Sequence, residues 1–395
     1  MRPISPPPTS TVATVSYGHA LRSLFHLQAD AVFLNHGSFG LTPKVVLAAQ
    51  AALRAEMEAQ PVRFLSRERL QTRLRAAAHE LAQFLGASGQ DLAFVDNATT
   101  GVNAVLRSLR LEPGDEILVT DHTYGAVRNA VRFVCARSGA RMVEARLPFP
   151  ADHGDGIVAA VAAALSKRTR LAVLDAITSV SALVLPVARL AEACRAVGAR
   201  VLVDAAHAPG MIDLDVTALG ADWVTGNAHK WLFAPKGCAF LWASEAAKDD
   251  LHPTVISHGF DQGFANEFDW TGTRDPTAWL AIPAALDFYR SMGDSALRGR
   301  NHALAAMAAH LLAERWGTER GAPDDMTGSM AVIRLPGRRT ATREAGQALN
   351  DRLWTEHRIE VPAVAIGADL WLRISAQIYN ESMDYEYLAM AIAKV

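Results

Sequence analysis

The chain has 395 residues, enough for two or three domain-sized units or for one large α/β core with an attached lobe. Half of them are hydrophobic and 20% are charged, an ordinary balance for a soluble globular enzyme. The formal net charge of -2 gives no reason to expect nucleic acid or an anionic membrane as a partner. The three cysteines, Cys135, Cys194 and Cys238, show neither CxxC spacing nor metal-ligand clustering. Neither a disulfide framework nor a metal site is therefore expected, and a reducing cytoplasm is the expected compartment.

Residues 1–15, with Pro3, Pro6, Pro7 and Pro8 after a single early arginine, lack the apolar stretch of a secretory signal and read as a loose arm. Farther along, leucines and alanines at helical spacing over residues 66–85 stop at Gly86. Strand-like runs are then expected at 91–97, 116–120, 141–147, 171–177 and 201–204, alternating with helices at 98–109, 124–137, 157–166 and 187–197. Two more strands are expected at 223–225 and 239–242. The longest apolar run, 157–165, is about half of what a membrane span needs. Alternating strand and helix units predict an α/β fold with a mostly parallel sheet covered on both faces. Beyond Pro283 the pattern changes: a helical stretch to Trp316, a polar loop, a strand at 330–335, a helix at 343–356, a strand at 370–375 and a last helix from Ser382. That order suggests a smaller α+β lobe.

Ligands of open parallel sheets sit beyond the carboxyl ends of the strands, and the chemistry-bearing residues cluster there. Val201, Leu202 and Val203 lead into Asp204, followed by a poor helix start with Pro209 and Gly210 close behind. The carboxylate is thus either a weakly supported helix cap or a functional group at the sheet edge. His207 follows. Lys230 stands among Thr225, Gly226, Asn227, Ala228, His229 and Trp231. A catalytic amine needs burial or cationic neighbours to lower its pKa, and His229 and Trp231 can supply that; the alternative is a surface lysine. An acid and an amine so placed are the pair that a pyridoxal 5'-phosphate (PLP) enzyme needs, the lysine to hold the cofactor aldehyde as an imine and the acid to keep the ring nitrogen protonated. Asn97, Ala98, Thr99, Thr100 and Gly101 stand where a strand becomes a helix, fitting either a phosphate site or a simple N-cap. His122 can lie flat on a pyridine ring, and Tyr124 offers a phenol that gives or takes a proton. Arg373, in an apolar strand, requires a partner, either a substrate carboxylate or a structural acid.

Taken together, residues 33–40, 121–124, 204–210, 225–231 and 270–275 resemble the class V aminotransferase family of PLP enzymes, in its isopenicillin N epimerase-like branch. The resemblance runs from about Phe33 to Tyr379. It implies PLP fold type I: a large domain over 16–285 with a mostly parallel seven-stranded sheet, its segment 16–45 lining the active site, and a small α+β domain over 286–395. It implies a homodimer with shared active sites. Lys230 would be the imine lysine, Asp204 the ring-nitrogen partner, His207 the contact to the ring oxygen and His122 the ring-stacking histidine. Ala98, Thr99, Thr225 and His229 would form the phosphate cup, and Thr273 would reach the neighbouring subunit's phosphate. Arg373 would take the α-carboxylate of an amino-acid substrate, near Asn35 in the pocket-lining segment.

Fold and cofactor do not decide the reaction. A sulfur-accepting desulfurase cysteine is disfavoured, because no cysteine follows Cys238. Epimerisation needs Lys230 on one face of the α-carbon and Tyr124 or a water on the other. C–S lysis needs Lys230 and an acid for the departing sulfur, and amino transfer needs Lys230 alone. The overall likeness puts epimerase-type chemistry first, with a C–S lyase or an aminotransferase as alternatives.

Overall fold

The protein is described by a computed structural model over residues 15–394. The arm expected over residues 1–15 lies outside the described residues but for Val15. A short strand, β1 (Val32–Phe33), precedes a central sheet of seven: β2 (Leu92–Val95), β3 (Glu116–Thr120), β4 (Arg141–Ala145), β5 (Thr169–Asp175), β6 (Arg200–Asp204), β7 (Trp223–Asn227) and β8 (Ala239–Ala243). Their order across the sheet is β2-β8-β7-β6-β5-β3-β4. Pairing is parallel throughout β7-β6-β5-β3-β4, and β8 is antiparallel to both its neighbours, so β8 alone runs against the rest. This is the mostly parallel, seven-stranded sheet expected of the fold.

The strands are apolar on both faces because both faces are covered. Leu118, Ala172, Leu174, Val201, Val203 and Val224 point into one core, with the helices Arg67–Phe84, Gly154–Ala164 and Val187–Ala196. Ile117, Val119, Leu171, Val173, Leu202 and Leu241 point into the other, with the helices Ala98–Ser108 and Gly125–Ser138. In Arg67–Phe84, Leu70, Leu74, Ala77, Ala78, Leu81 and Ala82 are buried, the stripe that a 3.6-residue period lays along one face.

A second sheet holds β9 (Met330–Arg334), β11 (Ala363–Ile366) and β12 (Asp369–Ser375), antiparallel in the order β11-β12-β9, while β10 (Ile359–Glu360) pairs with β1 in parallel. The helices Ser295–Trp316, Arg343–His357 and Ser382–Ile392 pack with these strands around a third core that includes Leu34. The helical stretch expected from about Pro283 to roughly Trp316 consists of two helices, Ile282–Ser291 and Ser295–Trp316. The chain turns between them where Asp294 takes a left-handed φ of 49°. The expected strands at 141–147 and 171–177 stop at Ala145 and Asp175. The helix Lys44–Ala59 was not anticipated at all. No described helix is long and apolar enough to cross a membrane.

Candidate active site

The carboxyl ends of β2, β3, β5, β6 and β7 open on one cavity of about 580 Å³. Its walls include Ser38, Asn97, Thr99, Tyr124, Asp175, Ser179, Asp204, His207, His229 and Lys230. Strand ends converge here because side-chain direction alternates along each strand while the residue just past the last ladder bond is free to face the opening.

Lys230 lies in the short helix Ala228–Trp231, directly after β7. Its pKa is lowered to about 7, chiefly by burial and then by the Arg373 charge, with Asp204 pulling the other way. Its Nζ is 3.1 Å from His207 Nε2. The indole of Trp231 donates to His207 Nδ1 at 3.5 Å, which leaves the imidazole proton on Nε2, facing a neutral amine. Burial holds the His207 pKa well below its usual value, so the ring is neutral. The backbone around Lys230 is pinned by His36, fully buried, which donates from Nε2 to the Lys230 carbonyl at 3.0 Å while Nδ1 accepts from the Tyr379 hydroxyl at 2.8 Å. Burial takes the His36 pKa to about 3, so it stays a neutral strut. Gly40 has a φ of 69°, and a Cβ there would meet the carbonyl oxygens of His229 and Lys230.

Asp204 closes β6 and is 4% exposed. It accepts from the Ala206 amide at 2.9 Å, and burial raises its pKa. The helix Ala98–Ser108 starts at the cavity. Its N-cap Asn97 accepts from the Thr100 amide at 2.9 Å, and Asn227, at the end of β7, accepts from the Ala98 amide at 2.8 Å. Among the described residues no protein group accepts from the Thr99 amide or hydroxyl, and both stand in the first helical turn where an anion is favoured. His229 donates from Nδ1 to the Cys238 carbonyl at 2.9 Å, and burial takes its pKa to about 4.

Arg373, on β12, is 7% exposed and makes no ion pair among the described residues. It donates to the Ser179 carbonyl, to Ser38 Oγ at 2.9 Å and to Asn35 Oδ1 at 3.2 Å. Asn35 in turn donates to Glu360 at 3.0 Å, which fixes its amide orientation. A buried guanidinium with only neutral partners is costly unless an anion joins it.

The structure therefore brings Lys230, Asp204, His207, Ala98, Thr99, His229 and Tyr124 to the cavity, with Arg373 and Asn35 linked to it through Ser38 and Ser179. It does not bring in three others. His122 is buried off the cavity wall, its Nδ1 2.6 Å from Ser181 Oγ and its ring tilted against Phe149. Thr225 is fully buried beneath Gly101, and its hydroxyl donates to the Phe240 carbonyl at 2.8 Å. Thr273 is exposed and outside its own chain's cavity, beside Arg274, which pairs with Asp96. Sequence reasoning missed Asp175, Ser38, Ser179, Asn227 and His36. Asp175 sat inside an expected strand, and the others have partners too distant in sequence to show.

These residues suit PLP: a buried amine neutral near physiological pH, a buried carboxylate at a strand end, a helix N-terminus with unclaimed donors, and a guanidinium lacking an anion. The family model for Aminotransferase class-V matches residues 32–388. The chain is 36% identical to putative L-cysteine desulfhydrase 1 of Oryza sativa subsp. japonica, covering 94% of this chain and 84% of that protein. It is 35% identical to isopenicillin N epimerase of Streptomyces clavuligerus, covering 93% and 95%. Its fold is similar to the cystine C–S lyase C-DES solved with its product cysteine persulfide, with a TM-score of 0.78, 23% identity, and 92% and 98% of the two chains covered.

Proposed function

Because this chain belongs to the class V aminotransferase family, whose cofactor is pyridoxal 5'-phosphate, we propose that it acts at the α-carbon of an amino acid, with epimerase-type chemistry first. The observation that carries this reading is Arg373: a buried cation with no acidic partner among the described residues, held by Asn35, Ser38 and Ser179, of which the two serines line the same cavity as a neutral lysine. The cofactor, when bound, supplies the electron sink that makes an α-proton removable. Arg373 takes the α-carboxylate and so orients the α-carbon. Lys230 holds the cofactor and then serves as the base on one face. Asp204, ionised, keeps the ring nitrogen protonated. Thr99 and the first turn of Ala98–Ser108 take the phosphate. Tyr124, on the cavity wall, gives or takes the second proton that inversion requires.

A second reading, C–S lysis, is favoured by the desulfhydrase relative. It uses the same Lys230 step, with Tyr124 protonating the departing sulfur. A sulfur-accepting thiol has no support: all three cysteines are free and buried, as a reducing cytoplasm allows, and burial pushes the thiols of Cys194 (to about 11) and Cys238 up rather than down. The active unit in this reading is a homodimer, in which Thr273, idle in its own chain, reaches the partner's phosphate.

One experiment separates the outcomes: incubation in D₂O with a panel of L-amino acids and S-substituted cysteine sulfoxides. Deuterium at the α-carbon of an inverted product is expected. Pyruvate and ammonia without inversion would replace epimerisation by lysis, and conversion of the cofactor to its pyridoxamine form would replace it by amino transfer.

A further inference from the structure

Asp175 is the last residue of β5, and Asp204 the last residue of the parallel neighbour β6; the two stand opposite each other in register. Both line the cavity, and they are 3% and 4% exposed. Neither carboxyl has an ion-pair partner among the described residues. Thr123 and the Tyr124 backbone N–H, both neutral, favour the charged form of Asp175 less than burial and the Asp204 charge oppose it. Two carboxylates side by side in a site shielded from water do not both ionise; the pair keeps one proton.

The surroundings decide which one keeps it. Asp204 accepts from the Ala206 amide, and Lys230, whenever its amine carries a proton, favours the charged form of Asp204. The titratable and charged groups around Asp175 are Asp204 and His207 from β6 and the turn after it, Lys230 and His229 after β7, His122 and Tyr124 after β3, and Arg373 from β12. Of these, only the Asp204 charge acts appreciably on Asp175, and it opposes ionisation, in the same direction as burial.

We propose that Asp175 is a neutral carboxylic acid in the working enzyme, a hydrogen-bond donor into the cofactor's cavity, paired with an ionised Asp204. Asp175 lines the opening, and its own O–H is the group that can point into it. The division of labour is one of charge: Asp204 supplies the only carboxylate charge of the pair, and Asp175 supplies a donor without diluting the positive ring nitrogen that Asp204 stabilises. The inference depends on the cofactor, and is indifferent to which product leaves.

The test is infrared difference spectroscopy on the PLP-loaded protein, comparing wild type with Asp175→Asn and Asp204→Asn. The carbonyl stretch of a protonated carboxylic acid should be present in wild type, absent in Asp175→Asn, and constant from mildly acidic to mildly alkaline pH. Asp175→Asn keeps size, neutrality and a donor, so its cofactor dissociation constant should stay within about threefold of wild type; Asp175→Leu, which loses the donor, should weaken it about tenfold or more. A band that survives in Asp175→Asn but vanishes in Asp204→Asn would overturn the assignment, as would a wild-type spectrum without the band. A wild-type spectrum without the band overturns the assignment even if a variant folds poorly.

Discussion

At Lys230 the pKa controls when the protein can be loaded. Only the neutral amine attacks the cofactor aldehyde, so uptake of PLP by apoprotein should speed up as pH rises through about 7 and then level off. An ordinary lysine, titrating near about 10.4, would still be accelerating well above that point. Following the growth of visible absorption against pH checks this, and an inflection near the ordinary value would reject the depressed amine. Lys230→Ala should abolish turnover while leaving some cofactor bound, and borohydride should fix PLP to Lys230 in the wild type; a peptide map showing another lysine would sink its role. Arg373→Ala should cost about a hundredfold in kcat/KM for an amino acid, the scale of about 3 kcal/mol for a lost charge-assisted pair. An amine lacking the carboxylate should be almost unaffected, and an equal loss for both substrates would make Arg373 structural. Lys230, Asp204 and the alternatives at Arg373 were legible because each stands in a short local pattern. Asp175 was not, because Leu171 to Ile177 reads as one continuous strand and nothing in it marks where the ladder stops.

At the scale of elements, the helix Ala98–Ser108 is seated by a close approach: a Cβ at Gly101 would collide with Thr225 Oγ1. Gly101→Ala should therefore push the helix off β7, cost roughly 1–3 kcal/mol of stability as overpacking does, and weaken PLP binding together with it. Thermal unfolding and cofactor titration on the same variant check the coupling; a variant with normal stability and normal affinity would show that the contact relaxes freely. Thr225 thus belongs to the support beneath the proposed phosphate site, and a residue matched to the cup can on that reading lie outside the cavity. The elements of the central sheet were readable from alternation of strand and helix patterns. The helix Lys44–Ala59 was not, although its Val46 and Gln50 are buried at helical spacing, because it buries few residues and shows no stripe strong enough to be read.

Across the whole molecule, Val255, Ile256 and Phe260 are 53%, 55% and 48% exposed in the stretch leading to Thr273, and Phe39 is 74% exposed at the cavity rim. The proposed dimer would cover this apolar surface, and stable interfaces bury roughly 1,600 Å² in total. Light scattering on the purified protein should give twice the chain mass, and Phe260→Glu should shift it toward monomer with a loss of PLP affinity; a fully active wild-type monomer would refute the shared site. A second long-range feature was equally invisible in the sequence: Tyr379 and His36 are 343 residues apart, yet they touch behind Lys230. Arg373 and Asn35 are separated by 338. Such closure is slow to search and comes late in folding. A nascent chain still on the ribosome, with its β12 and Tyr379 not yet made, would already carry Lys230 and Asp204 but lack the strut that pins the lysine's backbone and the buried arginine proposed to take a carboxylate. A chain cut short before β12 and Tyr379 should therefore fail to bind PLP in working form, even though it holds the buried amine.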